Sequence, residues 1–324
     1  MNPNRILYLS KADVEKVNLG MKEILSLLEE VFRQKAAGQV EMPPKPGVHT
    51  RPDAFIHAMP AYIPSLRSAG LKWVSAYPEN KRLGLPYISG LIILNDVDNG
   101  LPLAIMDCTW ITAQRTGAAS ALSARYLARR DSHVLAMLGC GVQARTHLEA
   151  LLACFPVKSV FAYDINPQAQ QDYISAMGDR YGIEMIGVTD PRQAVEAADI
   201  IVTAGPIVKH PAPVIQPTWL KEGSCGLSID FASYWTAESL ALMDLISSDD
   251  LAQHRYYASI GYFSGLPEPT LELAHLIAGL SQGRTEERQR TLAINLGLAL
   301  EDMAVAHEIY LRAVEMRIGI WLAL

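Results

Sequence analysis

The spacing of apolar residues along the chain predicts three long helices and a region of strands. Apolar residues recur at helical intervals over residues 10–37, 111–130 and 290–317. Over residues 43–102, prolines and glycines separate short apolar runs such as AGLKWVSAY and ISGLIILND. Such punctuation is typical of strands joined by turns. The amino-terminal part of the chain is therefore expected to combine helices with a sheet.

From residue 133 the pattern changes to short apolar runs that alternate with segments of helical length. The apolar runs are HVLAMLG, SVFAYD, IEMIGV, DIIVTAG, SCGLSID and DLISSD. Strands separated by helices pair in parallel through right-handed crossovers, so the region predicts a Rossmann-type doubly wound parallel sheet. We expect an α/β protein with this domain over residues 115–299. A second, α+β domain should comprise residues 1–114 with 300–324, to which the last helix returns.

Composition and charge exclude several classes of function. Half of the 324 residues are hydrophobic, 19% are charged and the net charge is -6, as in an ordinary globular protein. The basic residues form no cluster, and no apolar run reaches the roughly 18 residues of a membrane span, so neither a nucleic acid nor a membrane is an expected partner. The four cysteines lie far apart, which fits reduced thiols in the cytoplasm. The eight histidines lack the spacing of a metal site, and we expect no metal.

A glycine-rich turn follows the first strand of the predicted parallel sheet. Gly139 permits a tight turn, and Gly141 lets the backbone approach a pyrophosphate. The next helix offers its first N–H groups, around Val142 and Gln143, to the phosphates. Asp164 ends the following strand, where its carboxylate would bind the adenine ribose and repel a 2′-phosphate. The sequence therefore predicts NAD as the cofactor, unless the glycines only form a turn.

Several blocks together resemble the ornithine cyclodeaminase/mu-crystallin family over nearly the whole chain. The blocks are GLKWV at 70–74, TAQRTGAASALSARYLAR from 112, LGCGVQARTHLEAL, DIIVTAG, GRTEE near 283 and GLALEDMAVA near 297. The resemblance implies a homodimer whose first domain forms the interface. It also implies that the first domain binds the substrate, a small amino or imino acid.

The resemblance also implies roles for individual residues. Lys72 and Arg115 would bind the substrate carboxylate, with Lys72 also catalytic and Arg115 also beside the cofactor. Asp230 would be the catalytic aspartate. After the proline-rich MPP segment, Lys45 stands where well-known members carry an arginine, so it is a further candidate for substrate binding. Other candidates, for the substrate pocket or the cofactor site, are Leu296, Thr203 and Asn295.

These residue types suit chemistry at the α-carbon of an amino acid. Arg115 can bind a carboxylate through two parallel hydrogen bonds, Lys72 supplies a point charge, and Asp230 can exchange a proton with the amine. Each residue also has a structural alternative. Lys72 could be a surface lysine on an exposed strand, and Asp230 could cap a helix. Arg115 could cap a helix or form a salt bridge between the domains.

We therefore expect an NAD(H)-dependent oxidoreductase, an amino-acid dehydrogenase or imine reductase, that moves a hydride to or from the α-carbon of a small amino or imino acid. Two alternatives stay open. One is a cyclodeaminase that forms proline from ornithine with recycled NAD and releases ammonia. The other is a non-catalytic NADH-binding protein similar to the crystallin members. The sequence predicts no identity for the substrate side chain.

Overall fold

The computed structural model describes residues 4–324, which divide into two compact units. The first unit extends to Arg115 and resumes at Leu298, and the second consists of Thr116–Gly297. The strands are β1 (Arg5–Leu9), β2 (Gly47–Arg51), β3 (Ala54–Ile63), β4 (Ser68–Ala76), β5 (Ile88–Asn95), β6 (Pro102–Asp107), β7 (Val134–Leu138), β8 (Ser159–Tyr163), β9 (Glu184–Gly187), β10 (Ile200–Thr203), β11 (Cys225–Ser228), β12 (Leu245–Ser248), β13 (Leu271–Glu272), β14 (Thr291–Ile294) and β15 (Ile320–Ala323). The helices are α1 (Lys11–Val17), α2 (Met21–Ala36), α3 (Thr109–Leu127), α4 (Val142–Leu152), α5 (Pro167–Tyr181), α6 (Pro191–Ala197), α7 (Ala237–Ala241), α8 (Leu251–Ser259), α9 (Leu273–Ile277) and α10 (Ala299–Met316).

The first unit is a seven-stranded mixed sheet with helices packed against it. Its strand order is β15-β1-β6-β5-β4-β3-β2, in which β1 pairs with β6 in parallel and the remaining pairs are antiparallel. Helix α10 packs against β3, β4 and α2 and is buried along most of its length. Alternation along β4 turns Lys72 inward and leaves Trp73 46% exposed, opposite Leu91 of β5.

The second unit is an eight-stranded parallel sheet of order β13-β12-β14-β11-β10-β7-β8-β9. From β7 the chain moves outward through β8 to β9 and then returns to β10 on the other side of β7. Such a reversal is the topological switch point at which doubly wound sheets bind ligands. The predicted fold class, with a Rossmann-type sheet and a second α+β domain, is confirmed.

Two of the predicted helices differ from the observed elements. The segment 10–37 forms two helices, because Asn18 adopts a left-handed conformation with φ 54° that ends α1, and α2 begins after Gly20. The segment 290–317 begins with the buried strand β14 and becomes helical only at Ala299. A short, fully buried apolar run has the same appearance in a central strand as in a helix.

The length and composition of the helices bear on membrane insertion. Within residues 4–324, no helix combines the length and the apolar character needed to cross a bilayer.

Candidate active site

The first unit contains two buried cations, Lys72 on β4 and Arg115 on α3. Lys72 is 1% exposed and Arg115 is 5% exposed. The Lys72 ammonium lies 2.6 Å from Asp302 Oδ2 and donates a hydrogen bond of 3.3 Å to Thr112 Oγ1. Burial, followed by the positive charge of Arg115, lowers the pKa of Lys72. Lys72 is therefore an interior lysine and not a surface one.

Two carboxylates in the first turn of α10 compensate these cations. Arg115 donates from Nε to Asp302 Oδ1 at 3.0 Å and from Nη1 to Glu301 Oε2 at 2.6 Å. Both carboxylates are fully buried, and the amino-terminal end of a helix is a favourable place for negative charge. Asp302 bridges Lys72 and Arg115, and Arg115 also pairs with Glu301. We call these four side chains the ionic centre. Arg115 thus forms salt bridges, and both of its partners lie within the first unit.

Glu301 and Asp302 were not among the site residues predicted from the sequence. Their signal was the adjacent acidic pair in GLALEDMAVA, at the start of the last helix. An acidic pair in a first helical turn is commonly solvent-exposed and stabilises the helix dipole, so the pattern alone did not indicate burial.

Lys45 adds a third positive charge to this region of the first unit. Lys45 is buried, and it lies just before β2. Burial, followed by the positive charges of Lys45, His49 and Lys72, lowers the pKa of His57 to about 2. Lys45 and Lys72 therefore both act on His57. Together, Lys45 and the ionic centre carry three positive and two negative charges when all five groups are ionised, which is a net charge of +1.

In the second unit, the turn after β7 has the geometry of a dinucleotide-binding loop. Gly139 has φ +96°, and a Cβ there would lie 2.7 Å from the carbonyl oxygen of Ala204, so only glycine fits. Gly141 precedes α4 without a side-chain cap, and a Cβ there would meet no atom within 4 Å. The open space over Gly141 and the uncapped N–H groups at the start of α4, where Val142 and Gln143 lie, fit a pyrophosphate.

Asp164, at the carboxyl end of β8, contacts the same loop. Its Oδ2 accepts a hydrogen bond from the backbone N–H of Cys140 at 2.7 Å, and its Oδ1 accepts one from Asn166 at 2.8 Å. A carboxylate has about four acceptor positions, so these two bonds leave capacity for ribose hydroxyls. The structure thus brings Gly139, Gly141 and Asp164 together at one edge of the sheet.

Asp230 follows β11 at the same edge and is fully buried. Its Oδ1 accepts hydrogen bonds from Ser228 Oγ at 2.8 Å and Thr203 Oγ1 at 3.1 Å. Its Oδ2 accepts one from the backbone N–H of Gly205 at 3.3 Å. All three donors are neutral. Burial raises the pKa of Asp230 to about 6, although the hydrogen bonds favour the ionised form.

The backbone after Asp230 is held in an uncommon conformation. Phe231 and Ala232 both have φ 57°, in the left-handed region that β-carbon-bearing residues rarely adopt. The Phe231 ring packs against Tyr257 at 4.9 Å and Phe263 at 5.4 Å between centroids. This packing stabilises a turn that places the Asp230 carboxylate beside Thr203. Thr203, predicted to lie near the cofactor, thereby acts as a hydrogen-bond donor to Asp230.

Asn295 and Leu296 follow β14 and are both buried. The Asn295 side chain donates to Ser120 Oγ at 3.1 Å and accepts from Ser123 Oγ at 3.2 Å. Leu296 belongs to the hydrophobic core of the second unit, together with Trp235. The structure therefore gives both residues packing or hydrogen-bonding partners inside the unit.

Comparison with known proteins shows which family the chain belongs to. The sequence profile of the ornithine cyclodeaminase/mu-crystallin family matches residues 6–317. The chain belongs to this family. Membership confirms the resemblance stated from the sequence blocks, and it places the ionic centre and Asp230 within a fold shared by related enzymes.

Three relatives are similar to this chain over nearly their full length. The chain is 35% identical to the alanine dehydrogenase of Archaeoglobus fulgidus over 97% of both sequences. The Δ1-pyrroline-2-carboxylate reductase of Thermococcus litoralis, solved with NADH and L-proline, is 33% identical with a TM-score of 0.89, over 97% of this chain and 99% of that one. An archaeal alanine dehydrogenase dimer with bound NAD is 33% identical with a TM-score of 0.88, over 99% of each chain.

Proposed function

We propose that this protein interconverts a small, neutral α-amino acid and its imine, and that NAD, when bound, accepts or returns the hydride at the α-carbon. The broader assignment, an NAD(H)-dependent oxidoreductase of amino or imino acids, is the activity named for its full-length relatives. The observation that carries the proposal is the buried Asp230 carboxylate at the ligand-binding edge of the parallel sheet.

The second unit offers a site for the dinucleotide. Gly139 and Gly141 would let the pyrophosphate approach the backbone, and the first turn of α4 would donate its N–H groups to it. Asp164 would bind the adenine ribose, which favours NAD over NADP. Arg115 and Asn295 remain candidates for contact with the cofactor.

Asp230 would carry the proton that the reaction moves at the substrate nitrogen. Oδ1 already accepts two hydroxyl hydrogen bonds, whereas Oδ2 accepts a single backbone bond of 3.3 Å. We therefore assign Oδ2 as the atom that takes the proton from the substrate ammonium and returns it in the reverse direction. A pKa of about 6 suits this role, because the group then changes protonation state near neutral pH.

The ionic centre and Lys45 would bind the substrate carboxylate. Lys72 and Arg115 are already compensated by Glu301 and Asp302, so the additional charge of Lys45 balances one incoming carboxylate. A second carboxylate on the substrate would have no counterpart among these five groups. The charge balance therefore supports a substrate with one carboxylate and a neutral side chain, such as alanine or proline.

A screen of substrates tests the proposal. Small amino acids with NAD, and 2-oxo acids with ammonia or cyclic imines with NADH, are expected to give a net change in NADH absorbance. Ammonia released from ornithine with no net change in NADH would instead identify a cyclodeaminase. Binding of NADH without turnover of any compound would leave a binding protein, and either result contradicts the proposal.

We also propose a homodimer in the cytoplasm. The sheet of the first unit exposes paired apolar side chains, Trp73 and Leu91, on the face opposite Lys72, and a relative with bound NAD is a dimer. All four cysteines are free thiols, which fits a reducing compartment. Sedimentation velocity should give a dimer for the wild type and a monomer for Trp73→Glu; a wild-type monomer contradicts this proposal.

A further inference from the structure

His147 lies in a buried chain of hydrogen bonds that connects α4, α3 and the end of β14. It is fully buried, one helical turn beyond Gln143 at the start of α4. His147 Nδ1 lies 2.8 Å from the backbone carbonyl oxygen of Gln143, and Nε2 lies 2.9 Å from Ser120 Oγ. Ser120 Oγ in turn lies 3.1 Å from Asn295 Nδ2. These four residues all belong to the second unit.

The chemistry of Gln143, His147, Ser120 and Asn295 determines which atom donates and which accepts in each of these hydrogen bonds. A carbonyl oxygen can only accept, so Nδ1 of His147 carries the proton toward Gln143. Burial lowers the pKa of His147 to about 4, so the ring is neutral and Nε2 is an acceptor. The Ser120 hydroxyl therefore donates to His147, which leaves its oxygen to accept from Asn295 Nδ2.

The same chain determines the orientation of the Asn295 amide. Ser120 accepts from Nδ2 at 3.1 Å and gives its only proton to His147, so a flipped amide would place Oδ1 against an oxygen that cannot donate to it. Ser123 Oγ lies 3.2 Å from Oδ1 and 3.1 Å from the carbonyl oxygen of Ala119, so Ser120 decides the orientation. Asn295 Nδ2 carries two hydrogens, and Ser120 accepts only one of them. Leaving a buried donor or acceptor unmatched costs more than the hydrogen bond itself contributes, which makes the observed orientation the stable one.

Asn295 stands in the half of the sheet that serves the nicotinamide. Doubly wound sheets consist of two mononucleotide-binding halves, and the half after β7 with Asp164 takes the adenosine. β10, β11 and β14 belong to the other half, and the backbone N–H of Asn295 donates to Ser228 O, two residues before Asp230. The amide is thus placed at the edge where the nicotinamide mononucleotide is expected.

We propose that His147 is a positioning residue for the nicotinamide half of the cofactor, because it fixes the orientation of the Asn295 amide through Ser120. The inference goes beyond the proposed reaction, since it concerns how NAD is held and not which substrate is converted.

Two substitutions of His147 distinguish its hydrogen bond to Gln143 from its hydrogen bond to Ser120. His147→Asn can still donate to Gln143 O but is too short to accept from Ser120. His147→Gln reaches further, and its Oε1 can accept from Ser120 as Nε2 does. The matched control is His254→Asn, because His254 is another buried imidazole of the second unit, and within residues 4–324 its ring nitrogens have no hydrogen-bond partner.

The readout is the affinity for NADH compared with ADP-ribose, which lacks the nicotinamide, measured by calorimetric titration of the full-length protein. His147→Asn and Ser120→Ala should each weaken NADH binding about tenfold, the size of one hydrogen bond, and leave ADP-ribose binding unchanged. The double variant should lose no more than either single variant. His147→Gln should recover most of the NADH affinity, and His254→Asn should bind both ligands as the wild type does.

A purely structural role for His147 predicts a different pattern. Equal losses of NADH and ADP-ribose affinity in Ser120→Ala would overturn the proposal, as would unchanged NADH affinity in that variant. Because Ser120→Ala keeps the histidine in place, the test stays decisive even if His147→Asn does not fold. Ordinary ADP-ribose binding by each variant serves as the check that the second unit is intact.

Discussion

The ionic centre of the first unit and Asp230 of the second unit are both buried, but different groups stabilise their charges. In the first unit, Lys72 and Arg115 are compensated by the carboxylates of Glu301 and Asp302 at distances of 2.6 to 3.0 Å. In the second unit, Asp230 is surrounded by neutral donors alone. A charge beside an opposite charge stays ionised over a wide pH range, whereas a carboxylate held by dipoles can change its protonation state near neutrality.

From this difference we infer that one group of residues binds the substrate and another transfers the proton. The ionic centre is suited to hold a fixed charge pattern for a substrate carboxylate, and removal of one member should leave a buried charge unbalanced. Asp230, with a pKa of about 6, is suited to accept and release a proton.

Asp230→Asn should abolish most of the activity. The amide cannot take a proton from the substrate, and general acid–base groups commonly contribute between about 10²-fold and 10⁴-fold to the rate, so kcat should fall by about 10³. NADH affinity, measured by titration, should stay within a few-fold of the wild type. Turnover within tenfold of the wild type would remove Asp230 from the mechanism.

Arg115→Met should destabilise the fold, because Glu301 and Asp302 would share only the charge of Lys72. Breaking a buried ion pair in this way costs about 3–5 kcal/mol of the free energy of unfolding, which urea denaturation can measure. The matched control is Arg115→Met combined with Glu301→Gln, which removes one charge of each sign. The double variant should be more stable than the single one, and the reverse order would contradict charge compensation.

Lys45→Met should weaken substrate binding and leave proton transfer intact. Loss of the third positive charge is expected to raise KM for the amino acid about tenfold with little change in kcat, as for an interaction equally strong in the ground and transition states. Lys45→Arg keeps the charge and serves as the control, with KM near that of the wild type. A fall in kcat at constant KM would instead assign Lys45 to the chemical step.

The pH profile should report the ionised form of Asp230. In amino-acid oxidation the carboxylate accepts the proton, so kcat/KM should be highest above the pKa of about 6 and fall as the pH decreases below it. Thr203→Val removes a hydrogen bond to the ionised form and should move the inflection upward by about one pH unit. An inflection at the same pH in both proteins would show that another group titrates.

Much of the second unit could be predicted from the sequence because its signals are local. Strand, glycine turn and helix follow one another around Gly139, and Asp164 stands at the end of the next strand. The fold class, the family and the use of NAD are accordingly confirmed. The strand β14 was missed, because a buried apolar run of four residues carries no periodicity that distinguishes it from a helix.

The supporting groups of the candidate site could not be predicted in the same way. Glu301 lies 186 positions from Arg115 in the chain, and no local pattern indicates which buried cation an acidic residue will contact. His147 similarly reaches Ser120 across 27 positions. Such contacts depend on the packing of distant elements, which sequence spacing does not record.

The most direct test of the account follows the hydrogen of the α-carbon. With α-deuterated alanine or proline and NAD, the account predicts NADH that carries deuterium at the nicotinamide C4, detected by NMR, together with the imine or its hydrolysis product. NADH formed without deuterium, or deuterium released into water while NADH accumulates, would contradict transfer at the α-carbon.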